Sequence, residues 1–346
     1  MNIAQRLSRF CLLNVLFLLP PGLAFSADSP ARGSVIGGVD HQAPSWFKQS
    51  FLEIADDVEE ATDAGKHVIL FFQLNGCPYC DRMLQESFEG EQLTDYIQQN
   101  FDTIAINVRG DREIAFNEDV HLKEKELSEM LNVRATPAIL FLDENNKSVV
   151  RVNGYRAPER FQQILEYVAS KSYQTTTLAD YMEAKLKRDV YQLRDNAMFT
   201  ELNDLSGVKG PLAVIFEDGS CYDCNEFHDG ILGEPLVQKE LAPYTIVRLD
   251  ADSNQPITGV DGQSTTPKQL ALQYEMIYRP GVLVFDNGQL IRRHDSLTFP
   301  HHFKESMRFV AGGFYKQMDY RTYSQQRTEE LLSQGVTIDL GRPKVK

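Results

Sequence analysis

The sequence predicts an α/β protein made of two tandem copies of one domain, each with a central mixed β-sheet flanked by helices. Two Cys-x-x-Cys motifs begin at Cys77 and Cys221, 144 residues apart. Each motif follows an apolar run typical of a buried strand and precedes a helical pattern. A proline follows each motif at a similar distance, Pro137 after the first and Pro280 after the second.

The two halves align beyond their cysteines, which indicates the duplication of a whole domain. With an offset of 143 residues, 107–137 lies over 250–280 without a gap. With an offset of 142 residues, the pattern that begins at Phe161 lies over the one that begins at Phe303. Two small deletions explain the drift of the offset from 144 to 142.

After an initial helix, each copy shows the element order β-α-β-α-β-β-α, which implies a mixed sheet with helices on both faces. In the first copy the initial helix is predicted from apolar residues at helical spacing, Phe51 among them. The predicted elements of the first copy are helices over 47–64 and 124–131 and strands over 67–74, 103–108 and 138–142. Those of the second copy are strands over 212–216, 244–249 and 281–285 and a helix over 268–274.

The first 26 residues show the pattern of a secretory signal. Arg6 and Arg9 precede an apolar stretch, and Ala24-Phe25-Ser26 supplies a small-residue cleavage site. The stretch spans about ten residues, against the roughly 20 that a spanning helix needs, so cleavage is favoured over an uncleaved membrane anchor. Cleavage removes two arginines and no acid, which changes the formal net charge from −14 to −16.

A mature protein this acidic is a poor binder of nucleic acids and of anionic membranes. Cleavage also removes Cys11, so the four remaining cysteines all belong to the two motifs. Such an exported chain is suited to redox work in an oxidising compartment. We therefore expect an exported protein without stable membrane insertion.

The patterns divide the chain into six segments, and Leu178, Tyr181 and Met182 suggest a helix in the connector between the copies. The segments are a signal peptide over 1–26, an N-terminal extension over 27–45, a first domain over 46–172, a helical connector over 173–198, a second domain over 199–323 and a C-terminal tail over 324–346.

The order of strand, Cys-x-x-Cys at a helix start and proline before a central strand resembles the thioredoxin superfamily. The tetrad Cys-Pro-Tyr-Cys at Cys77–Cys80 looks like the glutaredoxin-type active site. Its surroundings over 68–72 and 133–143 are more similar to periplasmic thioredoxins found with sulfur oxidation. Residues 221–227 and 235–241 resemble the C-terminal thioredoxin domain of the thiol carrier DsbD.

The resemblance implies dithiol–disulfide exchange at both motifs. A helix N-terminus lowers the pKa of a thiol, and Pro78 suits the first helical turn because it lacks an N–H. Cys77 is expected to attack a partner disulfide, and Cys80 to resolve the mixed disulfide. Cys221 and Cys224 are expected to act likewise.

The resemblance also implies that Pro137 and Pro280 are cis and that the residue before each contacts the partner chain. The residues expected to support the two sites are Pro78, Tyr79, Thr136, Pro137, Tyr222, Asp223, Arg279 and Pro280. Thioredoxin carries a buried Asp six residues before its first active-site cysteine. Phe71 and Ile215 stand there in this chain, so the resolving step of thioredoxin cannot simply be carried over.

Two residues could distinguish the second site. Asp223 places a carboxylate beside Cys221, which disfavours a thiolate there and predicts that the second site is the more reducing one. His228 lies four residues after Cys224 and could face the site from the next helical turn, although a solvated histidine is the usual interpretation.

Other interpretations of the cysteines stay open. A structural Cys-x-x-Cys disulfide closes a tiny loop and stabilises by roughly 2 kcal/mol or less. A Cys₄ zinc site usually has its pairs about 15–20 residues apart, whereas 140 residues intervene here. Thiolates also select copper(I), so a copper-binding delivery protein is the alternative function.

The sequence thus predicts a periplasmic thiol–disulfide oxidoreductase without a bound cofactor or resident metal. Its expected substrates are disulfides of exported proteins or of sulfur-carrying partners, which it would reduce or isomerise. Net reduction outside the cytosol needs a source of electrons, and we expect a membrane thiol donor of the DsbD type.

Overall fold

The computed structural model describes residues 31–343 of the chain. The predicted signal peptide, 1–26, lies outside these residues. The first regular element is the short strand β1 (Val35–Ile36). In this described part of the chain, no helix has both the length and the apolar character needed to cross a membrane.

The first domain is built on a four-stranded sheet. Its elements are α1 (Ile54–Asp63), β2 (His67–Gln73), α2 (Pro78–Met83), α3 (Thr94–Asn100), β3 (Phe101–Asn107), β4 (Glu113–Asn117), β5 (Val120–Lys123), α4 (Glu124–Met130), β6 (Ala138–Leu142), β7 (Ser148–Asn153) and α5 (Pro158–Ala169). The sheet has the order β3-β2-β6-β7, with β2 parallel to β3 and antiparallel to β6. Strands β4 and β5 form a separate hairpin, which the sequence pattern did not predict.

Both faces of this sheet are covered by helices. Ile69 and Phe71 of β2 belong to the buried cluster that includes residues of α2, α3 and α5. Leu70 and Phe72, on the other face, pack with residues of α1 and α4. Because successive side chains of a strand point to opposite faces, a strand covered on both sides is apolar throughout.

Helix α1 is shorter than the sequence pattern predicts, because it begins at Ile54 rather than at residue 47. The backbone of Leu52 is left-handed, with φ at 67°, which is incompatible with a continuing right-handed helix. As a result Leu52 is buried, whereas Phe51 is 97% exposed and does not join the apolar face to which we assigned it.

The connector is helical over α6 (Leu178–Ala184), and residues 185–210 then run as irregular chain to the second domain. The second domain consists of β8 (Pro211–Glu217), α7 (Cys224–Glu226), α8 (Pro235–Leu241), β9 (Thr245–Asp250), β10 (Ile257–Thr258), β11 (Ser264–Thr265), α9 (Pro267–Gln273), β12 (Gly281–Asp286), β13 (Gln289–His294) and α10 (Pro300–Ala311). Its sheet order, β9-β8-β12-β13, repeats that of the first domain. The predicted duplication is therefore present in the strand order as well as in the sequence.

The two ends of the described chain meet. Helix α11 (Tyr320–Ser333) leads to β14 (Ile338–Asp339), which pairs in parallel with β1. Arg32 forms a bidentate contact with Glu329, at 2.6 and 2.7 Å. Arg342 binds Glu86 of the first domain at 2.7 Å, so the C-terminal segment is tied back to that domain.

Candidate active site

The first cysteine pair lies between the end of β2 and the start of α2. Cys77 and Cys80 form a disulfide, with Cα atoms 5.3 Å apart. Pro78 occupies the first position of α2, and the backbone N–H of Cys80 donates to Cys77 Sγ at 3.1 Å. Once the disulfide is reduced, this N–H and the dipole of the helix favour a thiolate at Cys77.

The second pair, Cys221 and Cys224, also forms a disulfide, with Cα atoms 5.6 Å apart. Helix α7 begins at Cys224 itself, so Cys221 lies in the preceding turn, where its N–H donates to the carbonyl of Asp218 at 3.2 Å. The prediction of a helix behind the second motif is confirmed, but that helix starts at the second cysteine and not at the first.

The proline loops follow the sequence prediction. The Thr136–Pro137 and Arg279–Pro280 peptides are both cis. Thr136 Oγ1 donates to Cys77 Sγ at 3.3 Å, and the carbonyl oxygen of Thr136 lies 3.6 Å from the same sulfur. The loop before Pro137 is therefore in direct contact with the first disulfide.

Arg279 is held by contacts within its own domain. Its Nε donates to Asp218 Oδ2 at 2.5 Å, and its Nη1 donates to the carbonyls of Met276 and Tyr278. Only 13% of the side chain is exposed. Arg279 thus borders the second motif with its guanidinium already neutralised by Asp218.

The cysteine pair after a central strand, the cis-proline before the next strand and the strand order of the sheet are all features of one known fold. Residues 54–169, which contain the first motif, match the family described as a thioredoxin-like domain. The second domain has the same sheet order, a Cys-x-x-Cys disulfide after its first central strand, and a cis-proline before the next. Both domains have the thioredoxin fold. The family match and the two disulfides support a thiol–disulfide oxidoreductase.

The thioredoxin-fold domains are also similar to solved structures. A thioredoxin-fold protein from Helicobacter pylori shares 24% identity over 40% of this chain and 98% of its own, with a TM-score of 0.32. A thioredoxin from Thermus thermophilus shares 21% identity over 34% and 85%, with a TM-score of 0.28. The oxidised C-terminal domain of Neisseria meningitidis DsbD shares 15% identity over 34% and 88%, with a TM-score of 0.24. Among curated proteins no significant match is found.

Tyr79 of the first motif is inserted into the second domain. Its ring stacks on Phe299, with centroids 4.2 Å apart. The Tyr79 hydroxyl accepts a hydrogen bond from the backbone N–H of Phe299 at 2.8 Å and lies 2.9 Å from His302 Nδ1. Burial lowers the pKa of His302 to about 4. The ring is therefore neutral at pH 7, and Nδ1 accepts the proton of the tyrosine hydroxyl.

Arg82, two residues after Cys80, also reaches into the second domain. It binds Glu226 at 3.0 Å and lies 3.7 Å from Asp223. Its guanidinium also lies over the ring of Tyr155, 4.1 Å from the centroid. The side chains of Arg82 and Asp223 are both almost fully buried, so this ion pair is shielded from water.

The buried cluster that contains both cysteines of the first motif continues into the second domain, to Phe299 and Phe303. Cys77 is 6% exposed and Cys221 is 2% exposed. The structure thus brings the two motifs to the interface between the domains and leaves little of Cys77 or Cys221 accessible.

Asp223 has a different environment from the one that the sequence suggested. Burial raises its pKa to about 6, against the opposing influence of the Tyr278 hydrogen bond and of Arg82. The Tyr278 hydroxyl donates to Asp223 Oδ2 at 2.7 Å. The negative charge of Asp223 is therefore partly balanced by Tyr278 and Arg82. Its carboxyl group is about half protonated near pH 6.

A buried acid–base pair near the second disulfide was missed from the sequence. Glu217, at the end of β8, is fully buried and lies 2.7 Å from His228 Nε2. Tyr191, which packs against Cys221 and Cys224, donates to the other oxygen of Glu217 at 3.2 Å. His228 is therefore buried, whereas the sequence favoured a solvated histidine. An acidic residue at the end of an otherwise apolar strand, four residues before a cysteine, was the available signal.

Proposed function

We propose that this chain is a periplasmic thiol–disulfide oxidoreductase that reduces or isomerises disulfides of exported or sulfur-carrying proteins. The observation that carries the proposal is the first site, where the Cys77–Cys80 disulfide at the start of α2 contacts the Thr136–Pro137 loop. The second pair, on the same fold, gives the chain a second site of the same kind.

In the reduced protein the Cys77 thiolate would attack one sulfur of a partner disulfide. A mixed disulfide forms and one partner thiolate leaves, to be protonated by solvent. The Cys80 thiolate then attacks Cys77 Sγ, which releases the second partner thiol and restores the Cys77–Cys80 disulfide. Two electrons have passed to the partner, so each turnover needs a dithiol donor, for which we propose a membrane thiol carrier of the DsbD type.

The buried state of the two motifs bears on how a partner would reach them. Tyr79 is stacked on Phe299 of the second domain, and Cys77 is almost fully buried. A protein substrate can therefore reach Cys77 only if the contact between Tyr79 and Phe299 opens. We therefore propose that the closed arrangement is the resting state of the oxidised protein, and that the interface around Tyr79 separates during exchange.

Insulin reduction with dithiothreitol as the electron donor tests the proposal. The wild-type protein is expected to accelerate precipitation of the insulin B chain, and Cys77→Ser to lose most of that activity. Cys221→Ser shows how much the second site contributes. An inactive wild-type protein that binds copper(I) tightly through its cysteines would instead support the alternative of copper delivery.

A further inference from the structure

The two motifs differ in how the neighbouring domain covers them. With the offsets of the repeat, Tyr79 corresponds to Asp223, Phe299 to Ala157, and His302 to Arg160. At the first motif the ring of Tyr79 fills the space against Phe299 and His302. At the second motif the shorter Asp223 stands in place of Tyr79, the equivalent residues of the other domain are alanine and arginine, and Asp223 accepts from Tyr278 of its own domain.

A cleft lies at this second position. It is narrow, with enclosed space for about one water molecule, and is lined from both domains. Its polar lining consists of Arg156 and Arg160 from the first domain and of Ser220, Tyr222, Asp223, Tyr278 and Arg279 from the second. Arg160 donates to Ser220 Oγ at 2.8 Å, and Ser220 precedes Cys221 in the chain, so a ligand bound at Arg160 would lie close to the second motif.

The cleft is rich in guanidinium groups, and one of them has no carboxylate partner among the described residues. Arg279 is paired with Asp218 at 2.5 Å, and Arg156 lies 3.7 Å from Asp295. Arg160, by contrast, donates only to neutral oxygens, to Ser220 Oγ at 2.8 Å and to Gln163 Oε1 at 3.3 Å.

The surroundings of Arg160 favour an incoming anion. Burial lowers its pKa, and the positive charges of Arg279 and Arg156 lower it further, against the opposing influence of Asp218. Its remaining N–H groups can bind a carboxylate in the planar, two-pronged geometry that guanidinium groups prefer. An anion would give Arg160 the charged partner that Asp218 gives to Arg279.

We propose that this cleft binds the carboxylate of a small anionic disulfide and presents its sulfur atoms to the second cysteine pair. The inference rests on the proposed exchange activity of that pair. In the reduced protein Cys221 would attack one sulfur of the ligand and release one carboxylated thiol. Cys224 would then displace the second thiol from Cys221, which closes the Cys221–Cys224 disulfide.

Three disulfides of similar length and different charge test this directly. They are 3,3′-dithiodipropionate, which is dianionic, 2-hydroxyethyl disulfide, which is neutral, and cystamine, which is cationic. The reduced Cys77→Ser/Cys80→Ser variant isolates the second site, and each rate is divided by that of dithiothreitol with the same disulfide. We expect the dianion to be preferred over cystamine by about tenfold at low ionic strength, because its carboxylate is bound by charge-assisted hydrogen bonds.

Arg160→Gln should remove most of this preference, because it slows the normalised reaction of the dianion far more than that of the neutral disulfide. His302→Gln, at the equivalent position beside the first motif, is the matched control and should leave the preference intact. Equal normalised rates for the three disulfides would overturn the inference, as would a preference that survives in Arg160→Gln.

Suberate, in which two methylene groups replace the sulfurs of dithiodipropionate, separates binding from exchange. Calorimetric titration of the oxidised wild-type chain should show binding that Arg160→Gln abolishes. If suberate binds through Arg160 but none of the disulfides is reduced, the anion site stands and the exchange activity of the second pair fails. If the disulfides are reduced and suberate does not bind, the activity stands and the anion site is refuted.

Discussion

Arg82 and Glu226 occupy the same position in the two repeats, 144 residues apart, and bind each other across the domain interface at 3.0 Å. Gly154 and Ser296 are equivalent as well, and a Cβ atom on Gly154 would lie only 2.5 Å from the Cβ of Ser296. Contacts between equivalent residues are typical of an isologous interface at its two-fold axis. The two domains thus face each other as the subunits of a symmetric dimer do.

Replacing Arg82 by methionine should destabilise the chain. The substitution removes the cation from between Asp223 and Glu226, and Asp223 is almost fully buried. Breaking a buried ion pair from one side costs about 3–5 kcal/mol, because the remaining charge is left without a partner. Urea unfolding of the oxidised protein, followed by circular dichroism, measures the loss.

Arg188→Met is the matched control for this substitution. Arg188 binds Asp252 at 2.8 Å, but 42% of its side chain is exposed. Exposed pairs contribute about 0–1 kcal/mol, so this variant should remain close to wild type. Equal losses in the two variants would show that the Arg82 pair is open to water and that the domains are not closed on each other in solution.

Substituting Tyr79 by alanine should open the first site. The substitution removes the stack on Phe299 and both hydrogen bonds of the hydroxyl. An aromatic pair is worth about 0.5–1.5 kcal/mol beyond its buried area. Since every 1.4 kcal/mol is a factor of ten, we expect a protein dithiol to reduce the Cys77–Cys80 disulfide about tenfold faster in Tyr79→Ala.

Tyr79→Phe keeps the ring and removes only the hydroxyl contacts, so its rate should lie between those of wild type and Tyr79→Ala. Stopped-flow measurements compare the rate at which a large and a small reductant reduce the Cys77–Cys80 disulfide. The rate increase in Tyr79→Ala should be greater with the large reductant. An unchanged rate with both would mean that Tyr79 does not limit access to Cys77.

Much of each domain could be predicted from the sequence, because the relevant signals are local. Strand β6 has the predicted bounds, since its five apolar residues are buried on both faces between a proline and a turn. The cis state of Pro137 and Pro280 followed from their place in the repeat. Helix α1 was predicted too long because the left-handed residue Leu52 has no signature in an apolar periodicity.

The interface between the domains could not be predicted, because its contacts join residues that are far apart in the chain. Tyr79 was assigned to the first site alone, yet it is held by Phe299 and His302. Asp223 was interpreted as an uncompensated charge, but the structure places Tyr278 and Arg82 beside it. The sequence predicted two motifs as the sites and contained no signal for what lies opposite each motif in the other domain.

Glu217→Gln should slow disulfide exchange at the second cysteine pair and not at the first. Gln73 stands at the equivalent position of the first domain, so the variant makes the two strand ends alike. The glutamine keeps the size of the side chain but replaces one of the two oxygens that contact Tyr191 and His228 by an amide NH₂, which cannot accept a hydrogen bond. We expect slower reduction of substrate by the second pair, because Tyr191 packs against both of its cysteines.

The effect of Glu217→Gln is measured in the Cys77→Ser/Cys80→Ser background, where only the second pair reacts. Gln73→Ala is the control in the complementary Cys221→Ser/Cys224→Ser background. The prediction fails if Glu217→Gln leaves the rate of the second pair as it is, because Glu217 would then serve packing alone.

The raised pKa of Asp223 predicts a specific dependence of stability on pH. Burial raises this pKa from 3.8 to about 6, so the folded protein binds the proton more tightly than the unfolded chain does. The corresponding stabilisation is fully present below pH 3.8 and is lost as the pH rises through about 6. A displacement of about 2 pH units amounts to roughly 3 kcal/mol at 1.36 kcal/mol per unit.

Asp223→Asn keeps the shape of the side chain and removes the titration. Between pH 4 and pH 7 the stability of the variant relative to wild type should rise by up to about 3 kcal/mol as wild-type Asp223 becomes ionised, in addition to a pH-independent loss from breaking the pair with Arg82. The same variant tests whether the charge of Asp223 makes the second site the more reducing one. At pH 7 its potential should rise by about 30 mV if the charge costs the Cys221 thiolate about 1.4 kcal/mol. A constant difference in stability across this pH range would show that Arg82 keeps Asp223 ionised throughout. An unchanged reduction potential would show that the charge of Asp223 does not cause any difference in potential between the two sites.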